Sequence, residues 1–362
     1  MRRTVTVDCT PRGPECRARL GTIAAFVEGI PMATARDVHL PGVVVPLSPL
    51  VLGTMTFGDT VDRAGAADLL DMALDAGITG VDTANVYAGG ETERILAGLL
   101  PSRRDRLVLA TKAGIPHPDQ EGHAPLSRAG LRAALEGSLK RLGTEYVDLF
   151  YLHQPDHATP AAETMEAVAE LASEGRIRAL GVSNFPSWRV AELMRLADEM
   201  KAPRPVVAQQ LHNLLARRIE EEFIEYAAHP TARGIRLMAF NALAGGLLTG
   251  RYSGREKPGA GRFTTSRLAD AYHDRYWNDE LLAAVARLTE VAERAGIPLA
   301  ALALRWLLHR ESTHAVLIGS SDTAQLRSNL EAAAAGPLPE DVLEACEQAS
   351  NGLRGPMPPY HR

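Results

Sequence analysis

Short apolar runs alternate with longer amphipathic stretches from residue 38 to the end of this 362-residue chain, and that alternation leaves few folds open. Repeated βα units build a parallel sheet covered by helices. The apolar runs are Leu50–Thr54, Gly80–Asp82, Leu107–Lys112, Val147–His153, Ile177–Ser183, Val206–Gln210, Ile235–Phe240 and Val316–Ile318. Between them, Ala64–Ala76, Ser127–Leu142, Thr159–Glu174 and Pro186–Met200 space their apolar residues three and four apart, as helices with one buried face do. Eight such strands predict an α/β chain closed into a (β/α)8 TIM barrel. An open doubly wound sheet would carry a Gly-x-Gly-x-x-Gly turn after its first strand, and Leu52-Gly53-Thr54-Met55-Thr56-Phe57-Gly58 stands there instead. Val38–Pro46, turning at Pro41-Gly42, reads as an N-terminal hairpin plug for the barrel, and Gly250–Asn278 as a long lid loop.

In a closed βα barrel the residues that follow the strands meet at one mouth. Asp82, Tyr87, Lys112 and His153 all stand at such positions. Singly, each has an ordinary reading: Asp82 as a helix cap, Tyr87 as loop packing, Lys112 as a solvated strand end, His153 as a core histidine. Together they read as a catalytic set. A lysine and an aspartate behind buried strands should pair, because neither charge is tolerable there alone. A tyrosine beside that ammonium is expected to have its pKa lowered from about 10, which makes it a proton donor near neutrality.

Composition narrows the partners. A net charge of −5 and no basic run interleaved with aromatics point away from nucleic acid and anionic membranes, toward a small molecule. Cys9, Cys16 and Cys346 fit neither a disulfide framework nor a metal site, so no metal is expected and a cytoplasmic location is. The segment before the barrel (residues 1–32) reads as an appendage or a mis-called start with Met32 as initiator, leaving 33–362 as the barrel.

The motifs Gly80 to Tyr87, Thr111-Lys112, Leu152-His153-Gln154, Gly181-Val182-Ser183-Asn184-Phe185 and Gln209 resemble those of the aldo-keto reductases, in the same order. The resemblance implies hydride transfer from NADPH to a carbonyl, with Tyr87 as general acid, Lys112 tuning it, Asp82 holding Lys112 and His153 orienting the carbonyl. It implies that Ser183, Asn184 and Gln209 hold the nicotinamide carboxamide and that Phe240 stacks on the ring. Asn241, Leu243, Gly245 and Leu247, in a glycine-rich stretch expected to offer backbone amides, would meet the pyrophosphate. Gly319, Ser321, Gln325 and Asn329 would clamp the adenosine end. Ser321 stands where many members carry an arginine for the 2′-phosphate, and Arg262 is the substitute expected for that charge.

Within the family the likeness is to the aflatoxin-aldehyde and succinic-semialdehyde reductases, through Asn241 to Tyr252, Gly261-Arg262-Phe263, Ala271 to Trp277 and Pro359-Tyr360-His361-Arg362. It implies a C-terminal substrate segment and a substrate face made by Met55, Tyr272, Arg275 and Arg362. Two guanidiniums there would pair with a carboxylate, so the expected substrate is an aldehyde with a remote carboxylate or a second carbonyl. The family's dimers imply a homodimer. Its cofactor-binding regulatory or channel-associated subunits supply the alternative function. His212 and Ala242 depart from the residues common at their positions.

Overall fold

The structure, a computed structural model, describes residues 37–252, 263–264 and 266–355. The expected barrel is present. Its strands are β1 (Leu50–Gly53), β2 (Gly80–Asp82), β3 (Val108–Ala113), β4 (Val147–Leu152), β5 (Ile177–Ser183), β6 (Pro205–Leu211), β7 (Arg236–Phe240) and β8 (Ala315–Ile318). Each pairs parallel with the next, and β8 closes on β1. Helices α1 (Arg63–Asp75), α2 (Glu91–Ala97), α3 (Arg128–Leu142), α4 (Ala161–Ser173), α5 (Ser187–Met200) and α6 (Phe223–Ala228) follow β1 to β6 in turn. After β7 come α7 (Ala269–Tyr276), α8 (Asp279–Ala295) and α9 (Leu299–Leu308); α10 (Thr323–Ala334) and α11 (Glu340–Ser350) follow β8. Asp62, Ser127, Asn278 and Asp322 cap α1, α3, α8 and α10 through side-chain oxygens that accept a first-turn N–H.

Because strand side chains alternate, the barrel has two cores. Leu52, Val81, Leu109, Phe150, Leu180 and Val182 face outward under the helices. Val51, Val108, Ala110, Leu149, Tyr151, Ala179, Val207 and Met238 fill the interior together with Val38, Leu40 and Leu47 of the N-terminal segment. The plug is therefore real, although it is held by a single antiparallel bridge, Val38 to Leu47, rather than by a paired hairpin. Gly80 makes room for it, since a Cβ there would lie 2.6 Å from Leu47 Cδ1.

The stretch expected to be a lid loop is partly helical. Residues 269–276 form α7, which is anchored by buried Tyr272 and Tyr276 one turn apart, while 253–262 and 265 lie outside the described residues. So does the segment 1–32, and with it the reading of Met32. Among the described residues no helix is long and apolar enough to cross a membrane.

A half-buried polar knot, in which Glu220 also pairs with Arg310 at 3.3 Å and Glu347 with Arg217, fastens the turn after β6 to the C-terminal helices. Glu220 takes His212 Nε2 at 2.8 Å and Arg217 Nε at 3.1 Å, while Glu347 on α11 takes Arg310 at 2.8 Å and Trp306 Nε1 at 2.9 Å. Burial alone would raise the Glu220 carboxyl, but the hydrogen bonds from His212 and Arg217 outweigh it and hold the pKa at about 2. A depressed carboxylate stabilises the fold above its ordinary pKa and ceases to as pH falls toward its folded value. The stability difference between wild type and Glu220→Gln in urea is therefore expected to be full at pH 6 and to shrink as pH falls below the ordinary value of 4.5. A difference independent of pH would contradict this.

Candidate active site

Strand alternation sets the site. In β3, Ala110 and Lys112 point into the barrel and Thr111 points out to the helices. Asp82 closes β2 in the layer of Ala110. Both Asp82 and Lys112 are fully buried and form an ion pair through Asp82 Oδ1, and Lys112 Nζ also donates to Thr83 O at 2.9 Å. Tyr87 begins a short 3-10 turn beyond β2, with its hydroxyl 3.3 Å from Lys112 Nζ. His153 follows β4, where its amide donates to Ala113 O at 2.7 Å, and its ring meets that of Tyr87 edge-on at 6.1 Å. The four residues expected to converge do so.

Their electrostatics differ from expectation at one point. Burial pulls Lys112 down, but Asp82 and Tyr87 outweigh it, so its pKa is raised and the ammonium persists. His153 is pushed well below the usual imidazole value by burial, reinforced by the Lys112 charge, and is neutral. Its Nδ1 is buried with no hydrogen-bond partner among the described residues. An unmet lone pair costs less than an unmet N–H, which assigns the proton to Nε2. The Tyr87 pKa is raised, not lowered as expected from the ammonium alone. Complete burial dominates, Lys112 opposes it, and the Asp82 charge adds to it. The phenol thus holds its proton across the neutral range and can give it up only to a strong base formed beside it.

The residues expected to hold a nicotinamide cofactor line the same mouth. Ser183 closes β5 and is buried, and Asn184 adopts a left-handed φ of 61°, from which its Nδ2 donates to His153 O at 2.9 Å and Ser183 Oγ at 3.1 Å. Gln209 Nε2 donates to Asp82 Oδ2 at 2.9 Å, so this side chain braces the Asp82–Lys112 pair. Half-buried Phe240 closes β7. Asn241, also left-handed at φ 61°, ties the following turn together: its Oδ1 accepts from Gly245 N at 2.8 Å and its Nδ2 donates to Tyr276 Oη at 2.7 Å.

The glycine-rich turn was expected to offer its amides, but those of Ala244, Gly245, Gly246 and Leu248 donate to oxygens of Asn241 and Leu243 within it. Leu247 is a core side chain, while Leu243 is half-buried. What the turn supplies is close approach: Gly245 has φ +69°, and a Cβ there would lie 2.5 Å from Tyr272 Cδ1. Across the mouth, Gly319 is exposed and the nearest atom to a Cβ built on it is Gly53 O at 3.9 Å, so open space lies above it. Beside it, Ser321 N donates to Gln325 Oε1 at 3.2 Å, Asp322 caps α10, and buried Asn329 donates to Ser320 Oγ at 3.4 Å. Arg262 lies outside the described residues. Buried polar groups near His153 and open, glycine-bordered space beside a capped helix N-terminus fit an elongated dinucleotide.

Of the residues expected to face a substrate, Met55 packs half-buried against the core and α7 brings in Tyr272, which is close enough to Tyr87 to raise its pKa. Arg275 sits over the Tyr272 ring at 5.7 Å and has no carboxylate partner among the described residues. Trp277 packs into an aromatic cluster with Phe263 at 5.2 Å and Tyr252 at 5.9 Å. Arg362 lies outside the described residues. A cavity of about 760 Å³ lined by Ile224, Arg236, Trp306 and Leu343 includes none of Asp82, Tyr87, Lys112 and His153.

Two contributors escaped the sequence reading. Tyr151 faces Lys112 across the β3–β4 register, with the ammonium 5.7 Å from its ring, and Gly181 clears space for that ring. Its inward orientation follows from β4 alternation with Leu149, which was the available signal. Asn85, between Asp82 and Tyr87, is fully buried and neither amide atom has a partner among the described residues; no periodicity announces it.

The sequence model of the Aldo/keto reductase family matches residues 49–351. Aflatoxin B1 aldehyde reductase member 2 of Mus musculus is 38% identical over 333 residues, spanning 88% of this chain and 89% of its own. Human aldo-keto reductase family 7 member A3 is 39% identical over 327 residues, spanning 86% and 96%. Protein tas of Escherichia coli is 32% identical over 355 residues, spanning 88% and 99%.

Proposed function

The chain belongs to the aldo/keto reductase family, oxidoreductases that use a nicotinamide cofactor, and from that membership we propose that it reduces aldehydes to alcohols with NADPH. Aldehydes carrying a carboxylate or a second carbonyl, such as succinic semialdehyde, are the preferred substrates. The observation that carries the proposal is the Tyr87 hydroxyl 3.3 Å from a buried ammonium and edge-on to a neutral histidine. The name of the mouse relative at 38% identity supports the aldehyde.

When bound, the nicotinamide supplies a hydride to the carbonyl carbon. Ser183, Asn184 and Gln209 would hold its carboxamide, and Phe240 would stack on the ring. Asn241, Leu243, Gly245 and Leu247 would border the pyrophosphate, with Gly319, Ser321, Gln325 and Asn329 at the adenosine end and Arg262 supplying the charge for its 2′-phosphate. His153 Nε2–H donates to the carbonyl oxygen and fixes its direction. Negative charge grows on that oxygen as the carbon is reduced, and Tyr87 Oη then passes its proton to it. Lys112, held by Asp82, stabilises the phenolate left behind.

The test is a panel of aldehydes followed by NADPH absorbance, with NADH run in parallel to decide the cofactor preference. Cofactor binding without consumption on any aldehyde would instead mark a regulatory subunit.

Arg275, over the Tyr272 ring and without an acid partner among the described residues, supports the carboxylate preference. Arg275→Ala is expected to lower kcat/KM for succinic semialdehyde by about 10- to 100-fold, the equivalent of a charge-assisted hydrogen bond. An uncharged aldehyde of equal length should be nearly unaffected. Equal losses on the two substrates would remove the carboxylate claim, and Arg362→Ala extends the same comparison.

A further inference from the structure

The turn that carries Tyr87 is conformationally costly. Ala88, Gly89 and Gly90 follow it in succession at φ 46°, 63° and 86°. The left-handed region costs a non-glycine residue about 1–2 kcal/mol, so Ala88 stays there only if its surroundings hold it. Nothing within 4 Å would meet a Cβ at Gly89. Glu93 stands further along, in the first turn of α2.

Glu93 is fully buried, and both of its oxygens are used. Oε1 accepts from Thr111 Oγ1 at 2.7 Å, and Oε2 accepts from Arg141 Nε at 2.8 Å. Thr111 is the outward-facing neighbour of Lys112 in β3. Arg141, on α3, continues to Asp119, with Nη1 to Oδ1 at 3.0 Å and Nη2 to Oδ2 at 2.7 Å. Its stem also bears on the turn, since a Cβ at Gly90 would lie 2.8 Å from Arg141 Cδ. His117 Nδ1 lies 3.1 Å from Asp119 Oδ2 at the outer end of the chain of contacts. None of these groups touches Tyr87 or Lys112. A buried ion pair adds little net stability over apolar residues of the same size, but its directional bonds fix a geometry.

We propose that Glu93 and Arg141 are positioning residues: they lock α2, and with it the Tyr87 turn, onto the strand residue adjoining Lys112, and so set the phenol against the ammonium. This rests on the reductase reading above. The catalytic contact at 3.3 Å joins side chains from two different βα units, and the Glu93–Thr111 bond ties the same two units on the outer face of the barrel wall, opposite the Asp82–Lys112 pair inside. The Asp82–Lys112 pair holds the ammonium from below, while the Glu93 clamp holds the phenol from behind.

The experiment compares wild type, Tyr87→Phe, Glu93→Gln, Arg141→Lys and Thr111→Val for NADPH Kd by fluorescence, kcat and KM on one aldehyde, the pH profile of kcat, and Tm. Glu93→Gln is expected to lower kcat by about 10- to 100-fold, the cost of a small misplacement of a reacting group, with KM and NADPH Kd largely unchanged. Its alkaline limb should move to higher pH, because the phenol retreats from Lys112 while Asp82 and Tyr272 still face it and it remains buried. Arg141→Lys keeps the charge and should fall between Glu93→Gln and wild type. If Glu93→Gln does not fold, Thr111→Val and Arg141→Lys read the same quantities. Variants with a lowered Tm but wild-type kcat and alkaline limb would show a purely structural pair and overturn the proposal alone. A wild type without turnover would overturn the reductase reading and this inference with it, and the Tyr87→Phe control separates the two outcomes.

Discussion

Replacing Tyr87 by phenylalanine is expected to reduce kcat by about 100- to 10,000-fold, the range for losing a general acid, while leaving NADPH affinity nearly intact. The ring survives the change, so its edge contact with His153 survives too. The hydroxyl does not, and no other described group beside Lys112 can replace it: Tyr151 is buried inside the barrel, with a pKa pushed well above the ordinary value chiefly by burial. His153, held neutral, can offer a hydrogen bond but is a poor source of a proton. Steady-state rates with fluorescence titration of NADPH check both halves of the result. Retention of wild-type kcat would remove Tyr87 as the acid and with it the proposed mechanism.

Replacing Lys112 by methionine should damage both chemistry and fold. Asp82 is fully buried, and removing its cation leaves a charge met, among the described residues, only by Gln209 Nε2 at 2.9 Å. Breaking one side of a buried pair costs about 3–5 kcal/mol, whereas removing both sides is often nearly neutral. Lys112→Met alone should therefore unfold at markedly lower urea, and Asp82→Asn combined with Lys112→Met should recover most of that loss. Turnover should recover in neither. Stability that returns without activity would separate the structural role of the pair from its support of the phenol. A double variant no more stable than Lys112→Met would argue against a paired charge.

Much of the architecture was legible because its causes are local. Strand and helix periods are printed in the sequence, and Gly80, Ser127 and Asp82 stand at positions where chain direction or register leaves few alternatives. The convergence of Asp82, Tyr87, Lys112 and His153 was legible because a barrel rule converts strand ends into neighbours. What escaped depended on distance through space. The phenol pKa turns on how completely Tyr87 is enclosed and on the Asp82 charge, and neither is visible in a residue string. The amides of the glycine-rich turn are consumed by Asn241, whose side chain folds back across its own loop, and by the Leu243 carbonyl. Helix α7 was hidden inside a polar stretch because its order comes from Tyr272 and Tyr276 seating in the core, not from a strong periodic pattern. Glu93 looked like one more acid at a helix start until its two oxygens were seen to be shared between a strand and a second helix.

The plug of Val38, Leu40 and Leu47 bears on traffic as well as on packing. With the floor of the barrel sealed, the chamber is a cul-de-sac. Among the described residues nothing can reach Tyr87 from beneath, so its traffic is left to the opposite rim, where the strands end.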